Sequence, residues 1–328
     1  MSAPASVRPG GGGAARLASA VQSYGAAIVL LVVVVVGTFA FASFASVGNF
    51  QNIAIQSSFL LIIAVGMTFV IMTGGIDLSV GSVFALGGVL AAYGSRWGVA
   101  GALLLPVIVC AGIGLFQGFL IAYGRMPAFI VTLAGLLGAR GIVLAITDGG
   151  GKTPIITDRL TIALGQETVL GFRLATAVAV LILVLGAIAV TRTGAGQSVL
   201  AVGGSESAAA LMGVPVARVQ AGVYLLSGTC AGLAGALSAW YSSSGVPTVG
   251  VGMELTVISA VVIGGTLLAG GAGNMIGTLA GVLLLGVIQN LINQIGSLTT
   301  SVQLVVSGGF LAVVVVLQTI LARRSAAR

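Results

Sequence analysis

Histidine is absent from the 328 residues of this chain, and cysteine occurs only as Cys110 and Cys230. The missing imidazole removes Ser–His–Asp and Cys–His relays. It also leaves two isolated thiols, in separate apolar runs, without partners for metal or redox chemistry. Both read as small buried hydrophobes. Charge is nearly as scarce, at 6% of residues against roughly 25% in a soluble domain. Such a chain cannot solvate an ordinary surface. Its six acids are spread along the whole length and form no carboxylate pair for acid–base hydrolysis. No catalytic residue and no metal ligand is expected.

What is present is apolar. Hydrophobic residues make up 58% of the chain, and the mean hydropathy is +1.21. These values imply an all-α polytopic membrane protein. The 52 glycines suit helices that pack closely in lipid through small residues. A net charge of +7 raises the possibility of nucleic acid, but the arginines stand singly at segment ends. That is an orientation signal of a membrane protein, and not a binding patch.

Residues 1–20 read as a disordered tail, rich in Gly, Ala and Pro. The membrane domain spans 21–322, and 323–328 form a basic tail. About ten transmembrane helices are expected, at 26–44, 52–72, 79–95, 99–123, 127–147, 174–190, 219–240, 254–268, 275–295 and 298–322. Some of them are broken or Gly-interrupted. The first resembles a signal-peptide core, with Ala40-Phe41-Ala42 as a cleavage site. Its length, near the roughly 20 residues of a bilayer crossing, favours an uncleaved helix. With the N-terminus inside, the cytoplasm receives Arg8, Arg16, Arg125, Arg192, Arg218, Arg323, Arg324 and Arg328. The outside receives the smaller set of Arg96, Lys152, Arg159 and Arg173. Both termini are therefore expected in the cytoplasm.

The stretch Gly74-Gly75-Ile76-Asp77-Leu78-Ser79-Val80-Gly81 interrupts two apolar runs. A charge near the bilayer centre costs about 3 kcal/mol even on lenient scales. Gly74 and Gly75 let the first helix stop, since glycine takes the left-handed conformation a stop needs. Asp77 is placed to cap the next helix by accepting amides two or three residues on. A direct substrate contact is compatible with that role. Gly74-Gly75, Gly81 and Gly87 recur at one constant offset as Gly264-Gly265, Gly271 and Gly277. This weak internal repeat has Leu267 where the first copy has Asp77. Transporters often carry such repeats, with the site between them.

Gly149-Gly150-Gly151-Lys152-Thr153 imitates a phosphate-binding loop, but Ile146 stands where its first glycine belongs. A membrane helix precedes it where a strand is needed, so nucleotide binding is excluded. In the polar segment 191–218, Ser205 or Ser207 can cap, Glu206 favours a helix start, and Ala208–Met212 are strong helix formers ended by Gly213. The segment is either an ordinary loop helix or a docking helix for a cytoplasmic partner. Bulky charge at Ala209 or Ala210 is expected to uncouple such a partner without unfolding the chain. Asp77, Arg140 and Glu254 are the buried ionisable residues that a proton-coupled carrier would need.

Residues 66–81 resemble the signature of ribose-type sugar ABC importer permeases. Residues 203–214 resemble the cytoplasmic coupling segment of that family, and residues 261–273 its C-terminal motif. The similarity covers roughly 49–318. Within the family, 126–135 and Gly252-Met253-Glu254-Leu255 are most similar to the galactofuranose-importer permease subunit. The resemblance implies a subunit of the bacterial inner membrane that works by alternating access. Its partners would be cytoplasmic ABC ATPase subunits, a periplasmic or lipid-anchored sugar-binding protein, and a second permease in a homo- or heterodimer. No cofactor would bind this chain, with ATP and Mg used by the partner ATPase. Coupling would fall to Ser205, Glu206, Ala209, Ala210, Leu211, Met212 and Gly213. Helix breaks and gating would fall to Gly74, Gly75, Asp77, Gly81, Gly264 and Gly265. A path for neutral sugars needs modest polar groups, for which Gln56, Thr132, Tyr241, Glu254, Gln289, Asn290 and Asn293 are candidates. Small polar residues of this kind equally suit hydrogen bonds between helices.

Overall fold

The computed structural model describes residues 12–169 and 171–295, together with residues 305, 308, 309 and 312. Its helices are α1 (Gly12–Ala40), α2 (Val47–Met72), α3 (Val80–Gly94), α4 (Gly98–Ala122), α5 (Ala128–Ile146), α6 (Arg159–Gln166) and α7 (Leu174–Arg192), followed by α8 (Gly194–Gly204), α9 (Glu206–Leu211), α10 (Val216–Ser242), α11 (Met253–Ile263) and α12 (Met275–Ile295). One antiparallel ribbon joins β1 (Thr168–Val169) to β2 (Phe172–Arg173). Helix α1 includes 12–20, which the sequence assigned to the disordered tail, because Ala and Leu favour helix there.

Among the described residues, six helical stretches are long and apolar enough to cross a membrane: Val47–Met72, Val80–Ala122, Ala128–Ile146, Leu174–Arg192, Val216–Ser242 and Met275–Gln294. Gly25–Ala40 and Met253–Ile263 are shorter apolar helices. The described residues do not confirm the expected count of ten. The stretch Val80–Ala122 folds back on itself at a 3-10 turn, Ser95–Trp97, where Gly94 and Gly101 leave no room for a Cβ between their backbones. With 11 residues, α11 is about 16 Å long at 1.5 Å per residue and cannot cross alone. The last expected crossing, 298–322, lies outside the described residues.

Helices α2 and α10 form the centre. Residues 57–72 of α2 are buried throughout, whereas α4, α5 and α7 expose Ile108, Phe116, Leu137 and Leu181 as lipid-facing surface. Glycines set the central spacing. A Cβ on Gly114 would collide with the Tyr224 carbonyl, and one on Gly235 with the Phe84 carbonyl. Helix backbones in lipid gain contact by this close approach.

Both breaks end their helices in the same way. After α2, Gly74 at φ +80° donates to Ile71 and Gly75 donates to Val70. After α11, Gly265 at φ +92° donates to Val262 and Thr266 donates to Val261. Each is a Schellman stop that satisfies the last carbonyls. The left-handed residue is Gly74 in one copy and Gly265 in the other, one place away from the sequence alignment of Gly74 with Gly264.

Candidate functional site

A cavity of about 720 Å³ opens between α2, α12 and the segment entering α11. Gln56, Gln289, Asn290 and Asn293 line it. Asn52, Ser57, Ser238 and Thr256 also line it, none of which the sequence singled out. The missed signal was helical spacing: Asn52 and Gln56 are one turn apart on α2, as are Gln289 and Asn293 on α12. Phe59 and Phe84 supply apolar wall. Among the described residues no charged side chain lines the space. Ser57 is buried and its hydroxyl has no hydrogen-bond partner among the described residues, so a polar group still has something to bind there. Asn290 is already engaged. Its Nδ2 donates to Asn49 Oδ1 at 2.8 Å, while its Oδ1 accepts from Asn49 Nδ2 at 3.1 Å.

The remaining path candidates lie elsewhere. Thr132 donates to its own helix at Ala128, 2.8 Å away, and sits 3.3 Å from the Ile76 carbonyl. Tyr241 is half-buried beside Phe59, and its carbonyl accepts from Gln166 Nε2 at 2.9 Å. Glu254 starts α11 with its carboxylate over Gly81, where no Cβ would fit. None of the three lines the cavity.

At the first break Asp77 is 1% exposed. Its Oδ1 accepts from the Ser79 amide at 2.9 Å and the Ser79 hydroxyl at 2.6 Å. Its Oδ2 accepts from the Ser227 hydroxyl of α10 at 2.7 Å. Helix α3 begins at Val80 with Ser79 at the cap position, so Asp77 holds the residue before the helix and fastens it to α10. Ser79 Oγ has one hydrogen and gives it to Asp77. The Gln117 Oε1 also lies 3.2 Å from Ser79 Oγ.

A family model described as branched-chain amino acid transport system / permease component matches residues 49–315. The chain belongs to this permease family. It is 43% identical over 269 residues to the inner membrane ABC transporter permease protein YjfF of Escherichia coli K12, covering 79% of this chain and 80% of that protein. It is 40% identical to the ribose import permease protein RbsC of Haemophilus influenzae, covering 76% and 79%. It is 34% identical to the fructose import permease protein FruG of Bifidobacterium longum, covering 80% of each. These relatives place it with the ribose-type sugar ABC importer permeases, as a multi-pass inner-membrane protein. No solved structure matches it.

In this permease Ser205 caps α9, accepting from the Ala208 amide at 3.3 Å, and Glu206 stands in its first turn. Gly213, at φ +83°, follows the helix. Ala209 is fully buried, whereas Ala210 is exposed and Leu211 and Met212 are 90% and 72% exposed. The two alanines are therefore not equivalent. The glycine run at 149–151 is the turn that ends α5, with Gly149 donating to Leu144 and Lys152 to Thr147. Lys152 Nζ pairs with Asp148 at 2.5 Å on the surface, which raises the Lys152 pKa.

Proposed function

We propose that this permease moves a monosaccharide inward by alternating access, driven by ATP hydrolysed on separate ABC ATPase subunits. The sugar is galactofuranose or galactose, or a ribose-like pentose, delivered by a periplasmic or lipid-anchored binding protein. A second permease subunit, identical or not, completes the membrane part. Both termini face the cytoplasm, and Ser205–Gly213 couples to the ATPase. The chain itself binds no cofactor, and ATP and Mg belong to the partner ATPase.

The observation that carries this reading is the cavity lining. It holds amides and hydroxyls that donate and accept, with no charged group among the described residues, which suits a neutral polyhydroxylated solute. The ionisable residues a proton-coupled carrier would use, Asp77, Arg140 and Glu254, do not line it. The exposed apolar tip of α9, Leu211 and Met212, supports docking of a cytoplasmic subunit. Reconstitution in proteoliposomes tests the proposal. Uptake should require added ATPase, binding protein and ATP. Uptake of free sugar by this chain alone, driven by a pH gradient, would overturn it.

A further inference from the structure

Residues 243–252, between α10 and α11, are not helical. They run back along α3: Gly245 lies against Gly88 and Val89, and Gly250 against Gly81 and Phe84. Non-helical backbone at membrane depth persists only where protein groups satisfy its polar atoms. At its start, Ser243 accepts from Ile156 at 3.0 Å and Gly245 donates to Pro154 at 2.8 Å. Further along the donor is a side chain. Arg140 of α5 donates from Nη1 to the Pro247 carbonyl at 2.8 Å and to the Val249 carbonyl at 3.1 Å. Its Nη2 donates to Val249 at 3.1 Å. Val249, Gly250 and Val251 are also wall of the cavity, so the clamp ends where the wall begins.

The chemistry fits arginine in particular. A planar fork of donors can hold two neighbouring carbonyls at once, which a lysine ammonium cannot do with the same rigidity. Glu254 interacts with Arg140 electrostatically, yet no ion pair within 4.0 Å joins them among the described residues. The guanidinium is directed at backbone. We propose that Arg140 is a positioning residue for transport: by holding the Pro247 and Val249 carbonyls it sets the cavity wall at 249–251, and releasing them lets that wall withdraw. The role in transport rests on the cavity being the sugar path, whereas the clamp itself does not.

The test uses the complete transporter in proteoliposomes, with Arg140→Gln, Arg140→Lys and Glu254→Gln. Hydrogen exchange across 244–252 is read first. Arg140→Gln should speed exchange there while α3 and α10 keep their protection, and Arg140→Lys should restore it in part. Unchanged exchange in Arg140→Gln would overturn the clamp. Uptake is read second, per folded and ATPase-docked complex. It should fall about tenfold in Arg140→Gln, the scale of losing charge-assisted hydrogen bonds, with ATPase docking unaltered. Glu254→Gln should leave uptake within about twofold, since the amide oxygen still accepts from the Glu254 and Gly252 backbone and no ion pair to Arg140 is lost. Full rescue by Arg140→Lys, or a Glu254→Gln defect equal to that of Arg140→Gln, would make the residue a charge partner and overturn the positioning role. Should the unaltered complex import no sugar, the transport reading fails, and the exchange measurements still decide the clamp.

Discussion

The amide of Gly271 donates to the carbonyl of Met72 at 2.9 Å. Met72 ends α2, so its carbonyl has no partner within its own helix. The turn before α12 supplies one, and the two helix breaks are thereby joined. Gly203, in α8 just ahead of α9, lies at the same junction, where a Cβ would collide with the Met72 carbonyl and the Gly271 amide. We expect Gly203→Val to lower stability by about 1–3 kcal/mol, the cost of overpacking. Thermal unfolding of purified protein checks this, with Gly204→Ala, where nothing lies within 4 Å, as the control that stays near wild type.

Asp77 joins α3 to α10, so its loss strands several donors at once. Asp77→Ala leaves the Ser79 amide and hydroxyl and the Ser227 hydroxyl without their acceptor, at about 1–3 kcal/mol for a buried unsatisfied group. Asp77→Asn keeps one acceptor and presents an amide that Ser227 can accept. Folded yield should fall in Ala and largely survive in Asn. Normal yield with abolished uptake in Asn would move the charge itself into the mechanism.

For α9 the surface separates two neighbouring alanines. Ala209→Arg places a charge in a fully buried site and should destabilise the permease. Ala210→Arg and Leu211→Asp change exposed positions and should leave the fold intact while weakening ATPase docking. Co-purification with the ATPase, against thermal stability of the permease alone, separates the outcomes.

Ser57 offers a test of the cavity. Its hydroxyl is buried and has no partner among the described residues, so Ser57→Ala should be neutral or slightly stabilising. If the sugar binds there, the same change raises the half-saturating sugar concentration about fivefold, the worth of one hydrogen bond. Uptake kinetics and melting temperature of the same preparation give both halves.

Outside the membrane helices, Asp158 caps α6 by accepting from the Thr161 amide at 2.8 Å and hydroxyl at 2.7 Å. These bonds hold its pKa below the ordinary 3.8. A lowered folded pKa gives stabilisation that is complete well above the unfolded value and is lost as pH falls through the folded one. Protection of Thr161 from hydrogen exchange should therefore be flat near neutrality and decline only below about pH 4. Asp158→Asn should remove that acid dependence and keep the cap.

Composition alone determined the membrane class, because so few charges cannot solvate a soluble surface. The local pattern at Gly74–Asp77 located the first break, since a Schellman stop depends on residues adjacent in the chain. The short α9 was legible for the same reason, from cap, helix formers and terminating glycine. Tertiary structure decided the rest. It placed Gln56 with Gln289 and Asn293 and set Thr132, Tyr241 and Glu254 outside their cavity. It buried Ala209 but not Ala210, and it directed Arg140 to carbonyls far along the chain. Helical periodicity reports which residues share a face, not which distant backbone that face will meet. A non-helical return such as 243–252 is stable only through those distant partners.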